Sequence, residues 1–80
     1  PAGFNTLKTD LFSQCLKLKE VELSNDIKDI KIDVFYYCEK LETIRFNGTS
    51  EEWERIRKDN DWNRYTGDYV VICTDKTLNK

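Results

Sequence analysis

The chain has 80 residues, 39% hydrophobic and 35% charged, with a net charge of −2, which fits one soluble domain with a modest core. The interspersed, slightly acidic charge excludes non-specific nucleic-acid binding, which needs a basic face. No apolar run approaches the roughly 18 residues of a membrane helix, so no membrane insertion by this segment is expected.

The first half of the chain contains an echo. The stretch "FSQCLKLKEVEL" at 12–23 returns as "FYYCEKLETIRF" at 35–46. Sliding the sequence over itself until these stretches coincide puts Lys8 on Lys31, Asp10 on Asp33, Phe12 on Phe35 and Cys15 on Cys38. Lys17 falls on Lys40 and Leu18 on Leu41, and no gap is needed. Apolar residues also meet apolar ones: Phe4 and Ile27, Leu7 and Ile30, Leu11 and Val34, Val21 and Ile44, Leu23 and Phe46. A period of this length marks a solenoid, in which each unit buries its apolar side against its neighbours.

Within the unit, "LKEVEL" and "LETIRF" fit L-x-x-L-x-L. Their last four residues alternate apolar and polar side chains, as a strand with one buried face does. Val21 and Leu23 are predicted to point inward, Glu20 and Glu22 outward. The return stretch "DIKDIKIDVFYYC" at 26–38 predicts a short extended piece and then one tight helical turn. Each strand is then expected to lie parallel to the last, with Cys15 and Cys38 stacked on the same side. They read as small buried apolar residues, with a disulfide or a reactive thiol as the alternatives.

The segments "VFYYCEKLETIRF" and "LFSQCLKLKEVEL" resemble the BspA-like class of leucine-rich repeat, whose unit carries an A-F-x-x-C-x-x-L-x-x-I-x-[IL] core. Leu11 and Val34 stand at the alanine position. Lys8 and Lys31 stand where the family usually has glycine, and Pro1 where it often has a proline after the strand. The run "FNGTSEEWERI", then "WN", then "TGDYVVICTD" is similar to the family's C-terminal unit. The resemblance implies an α/β fold: a right-handed parallel leucine-rich-repeat solenoid with short strands, about two repeats of the 23-residue unit and a helix-strand cap. It also implies a bacterial, sometimes protist, cell-surface or secreted protein that binds other proteins or matrix.

After Phe46 the period is expected to stop. Asn47-Gly48 is a turn signal, and "TSEEWERIRK" at 49–58 reads as a short helix. Thr49 and Glu52 form a capping box. Glu51 and Glu52 at its start, with Arg57 and Lys58 at its end, suit the helix dipole. Trp53 and Ile56 share one face. "YVVIC" at 69–73 reads as the last strand, and "TDKTLNK" at 74–80 is expected to fray. Trp53, Trp62, Tyr65 and Tyr69 are expected to plug the open end, with a sugar platform as the alternative. The single domain, 1–80, divides into a partial repeat (1–23), a full repeat (24–46), a cap (47–75) and a tail (76–80).

Catalysis finds little support. There is no histidine, the commonest general base, and no glycine-rich phosphate loop. The three cysteines lack zinc spacing. No catalytic, cofactor-binding or metal residue is assigned, and no cofactor is expected. Glu51, Glu52 and Glu54 read as the ordinary acids of a helix start rather than a glycosidase pair. The "NGT" sequon at 47–49 reads as a turn feeding the helix cap. The outward strand positions are the place to look for binding, and the overlay pairs them as Lys19 with Glu42, Glu20 with Thr43 and Glu22 with Arg45. These read as a solvated charge ladder that keeps the sheet face soluble, with a charged patch for a protein partner as the alternative. The expected partner is a protein or matrix component, or a carbohydrate for a self-sufficient module. Pro1 aligns with Ser24, just after a strand, so the reading begins mid-repeat. The N-terminal edge near Leu7, Leu11 and Phe12 is expected to be open to self-association.

Overall fold

A computed structural model describes residues 5–80. The expectations for Pro1 and Phe4 lie outside the described residues. Seven strands and one helix follow among these residues, in the order β1 (Thr6–Leu7), β2 (Glu20–Ser24), β3 (Asp29–Ile30), β4 (Thr43–Asn47), α1 (Ser50–Arg55), β5 (Arg57–Lys58), β6 (Val70–Ile72) and β7 (Thr77–Asn79). They form two sheets, β1-β3-β5 and β2-β4-β6-β7, and the chain alternates between them.

The period of the sequence appears directly in the pairing. Thr6 lies opposite Asp29, and Glu20 opposite Thr43, both parallel and both in the register of the overlay. Parallel register keeps equivalent side chains on the same face. Leu7 stacks beside Ile30, and Leu23 beside Phe46, all buried. These residues join one core cluster that draws on both sheets. Phe12 and Phe35 stack within it at 5.3 Å between ring centroids.

Between the sheets the return stretch is a series of tight turns, where a helical turn was expected. Cys15 N–H donates to the Phe12 carbonyl and Leu18 N–H to the Cys15 carbonyl, at 3.2 and 3.1 Å. Cys38 and Leu41 repeat the pattern at 3.0 and 3.2 Å. Left-handed residues break any helix: Asp10 and Gln14 in the first pass, Asp33 and Tyr37 in the second. Aspartate enters this region readily, whereas a bulky side chain does so at a cost of about 1–2 kcal/mol.

The path does not stop after Phe46. Asp29 pairs with Arg57, and Thr43 with Val70, both parallel. Asp61 and Tyr65 take the left-handed conformation, as Asp33 and Tyr37 do. Phe35 and Tyr37 N–H groups donate to the Trp62 and Arg64 carbonyls at 3.0 and 3.1 Å. The chain therefore makes a third pass, which α1 makes slightly longer than the first two. The overlay missed it because the inserted helix breaks a fixed offset.

Helix α1 keeps its predicted start and loses its predicted end. Thr49 Oγ1 accepts from Glu52 N–H at 3.1 Å, and the Glu52 carboxylate accepts from Thr49 N–H at 2.9 Å. The helix ends after Arg55, because Ile56 is extended. Arg57 and Lys58 are strand residues that pair with β3, not the helix's last turn. Lys58 still serves the helix end: Nζ donates to the Trp53 carbonyl at 2.7 Å. Its partial burial lowers the ammonium pKa. Gly48 is required by packing, since a Cβ there would sit 2.7 Å from the Phe46 ring.

The tail is paired rather than frayed. Val71 lies opposite Leu78 in the antiparallel pair β6-β7, and Leu78 packs against the core. At the other edge, Leu7 is buried, against expectation, while Leu11 is 44% exposed. Leu7 is covered because it points into the core rather than along the edge.

Candidate functional site

The outward face of the larger sheet carries the strand residues singled out from sequence. Its rows run Glu20–Thr43–Val70 and Glu22–Arg45–Ile72 across β2, β4 and β6. The register matches the overlay, but the side-chain pairing is diagonal. Arg45 Nε meets Glu20 Oε2 at 2.7 Å, rather than its neighbour Glu22. Glu22 instead accepts from Asn47 Nδ2 at 2.9 Å. A long side chain that leans along its strand reaches the next row. The Arg45–Glu20 pair is about half exposed, so it contributes about 0.2–1 kcal/mol.

Lys19 and Glu42 sit just before the strands. Glu42 N–H donates to the Lys19 carbonyl at 2.8 Å, but their side chains form no ion pair among the described residues. Together with Glu39, Lys40 and Asp68 they line an open hollow below the sheet. Val70 and Ile72, both half-buried, extend the outward face with apolar surface. Sequence reading missed them because "YVVIC" is apolar throughout, so no alternation marks which side faces out. Only Val71 of β6 turns inward, at 2% exposure.

The cysteines and aromatics divide by burial. All three cysteines are free thiols. Cys38 is buried, donates from Sγ to the Phe12 carbonyl at 3.0 Å, and has its pKa pushed up by burial. Burial raises Cys73 in the same way. Both are therefore protonated and inert at neutral pH. Trp53 and Tyr69 are buried, and Trp62 packs against the core, so these three belong to one apolar cluster. Tyr65 does not: it is 57% exposed and stacks on Tyr37 at 4.9 Å. No cluster of three or more His, Cys, Asp or Glu side chains placed to hold a metal occurs among the described residues.

The family model described as "BspA type Leucine rich repeat region (6 copies)" matches residues 1–57. The chain belongs to the BspA-type leucine-rich repeat family. The match covers the first two passes and α1, and ends inside β5. The third pass of the larger sheet lies beyond it. No curated protein and no solved structure matches the chain.

Proposed function

We infer that this chain is a non-catalytic protein-interaction and adhesion scaffold. It forms the C-terminal end of a right-handed solenoid in a cell-surface or secreted protein. Repeats at 1–23 and 24–46 lead into a terminal unit that closes the array. The observation that carries this reading is a step in burial between equivalent positions. Phe35, Cys38, Leu41 and Ile44 are at most 1% exposed. Phe12, Cys15, Leu18 and Val21, one pass earlier, are only partly buried. The later set has a neighbouring pass on each side. The earlier set has one on a single side among the described residues, and a further unit of the same kind fits the other.

Binding then belongs to the outward face, with Lys19, Glu20, Glu22, Glu42, Thr43 and Arg45 contributed by this segment. A stable interface takes about 800 Å² per partner, more than this short face offers alone, so affinity resides in the longer array. The family resemblance supports a protein or matrix partner. A self-sufficient module that binds protein or carbohydrate is the second reading, and the exposure of Tyr65 favours it.

The test is a chain extended upstream by a copy of residues 24–46. Maleimide labelling of Cys15 should slow to the rate of Cys38, and the melting temperature should rise. Unchanged labelling and melting would identify a finished module instead. Binding of the extended chain to immobilised extracellular-matrix proteins, with and without Arg45→Glu, then tests the face. Capture that is insensitive to that change would place binding elsewhere.

A further inference from the structure

Two tyrosines from successive passes meet on the surface. Tyr37 and Tyr65 stack with centroids 4.9 Å apart and ring planes 22° apart. They are 38% and 57% exposed. Both sit at left-handed positions, with φ of 59° and 62°. Tyr37 N–H donates to the Arg64 carbonyl at 3.1 Å, which fixes one turn on the other. Arg64 flanks Tyr65: its guanidinium lies 5.8 Å from that ring and bonds Asp33 at 2.9 Å.

We propose that Tyr37 and Tyr65 form an intramolecular dityrosine cross-linking site, closed by a haem peroxidase with hydrogen peroxide. Each phenol gives up one electron and one proton to become a phenoxyl radical. The peroxide takes the two electrons and two protons and leaves as two waters. The radicals couple between ring carbons ortho to oxygen. The hydrogens on those carbons move to the oxygens as the rings regain aromaticity. The chain thus loses two hydrogen atoms and gains one carbon–carbon bond.

The geometry selects this pair over the other tyrosines. Tyr69 is 4% exposed, out of reach of an oxidising enzyme. Tyr36 lies 4.6 Å from Tyr37, its neighbour in the chain, and 5.8 Å from Tyr65, but it meets both edge-on, at 69° and 61°, and it is half-buried, so an oxidant reaches it less readily. Holding two reactants in contact replaces a bimolecular encounter by an intramolecular step. The bond would tie two successive passes together, which restricts the unfolded chain and raises the melting temperature.

The experiment treats dilute chain with a haem peroxidase and hydrogen peroxide, then maps tryptic peptides. The expected product is monomeric, shows dityrosine fluorescence and joins peptides 32–40 and 65–76. It melts several degrees higher than the untreated chain. Tyr37→Phe and Tyr65→Phe should each abolish it, while Tyr36→Phe should retain it. The proposal is overturned by covalent dimers in place of the monomeric product. A linked pair that survives Tyr37→Phe would overturn it too. So would the absence of any linked peptide under conditions that couple free tyrosine.

Discussion

At the scale of single residues, equivalent positions in sequence have unequal energetic weight. Phe35 is fully buried, stacked on Phe12 on one side and met edge-on by Trp62 at 5.9 Å on the other. Phe12 has one such neighbour among the described residues. Phe35→Ala should therefore cost about 3–5 kcal/mol and Phe12→Ala distinctly less, as read by urea unfolding. Equal losses would mean that the two sites are equally enclosed. The identity of the core was legible, because an apolar residue recurs at each matched position. The exposed stack of Tyr37 on Tyr65 was not. Its partners are far apart in the chain, and an exposed tyrosine carries no periodic signal.

At the scale of elements, short-range chemistry was the most readable. The capping box of Thr49 and Glu52 is present as predicted, and Thr49→Ala should destabilise the chain by about 0.5–2 kcal/mol. A second tie to this helix was invisible, because it comes from the far end of the chain. The Asp75 carboxylate accepts from Ser50 N–H and from Ser50 Oγ, both at 2.8 Å. These bonds hold its pKa below the ordinary 3.8. A carboxyl lowered on folding adds stability that is present above its ordinary pKa. That stability is lost as pH falls through the depressed folded value. Tryptophan fluorescence during acid titration should show the native chain losing stability below about pH 4. Asp75→Asn should be less stable at neutral pH and less sensitive over that window. Matching titration curves would mean that Asp75 does not hold the helix start. The tail strand was misread for a related reason: "TDKTLNK" is polar, and only pairing with β6 orders it.

At the scale of the whole molecule, two passes were legible and the third was not. Exact spacing exposed the first two. The inserted helix shifts the third out of step, and Asn63 and Thr66 stand at the places that Phe35 and Cys38 hold one pass earlier. What persists is backbone: left-handed positions at Asp61 and Tyr65 and parallel pairing of β5 and β6. Left-handed geometry is a property of φ that Asp and Tyr do not advertise together. The outward face was likewise half-read, with its charged rows found and its apolar flank, Val70 and Ile72, missed.

The most direct test of this architecture is hydrogen exchange of the backbone amides, resolved by NMR. The amides of Phe35, Tyr37 and Val70 donate across to the next or the preceding pass. They should be protected together and lose protection only with global unfolding. If instead Phe35 and Tyr37 exchange at the rate of a free chain while β2 and β4 stay protected, residues after Phe46 do not form a third pass, and the account fails.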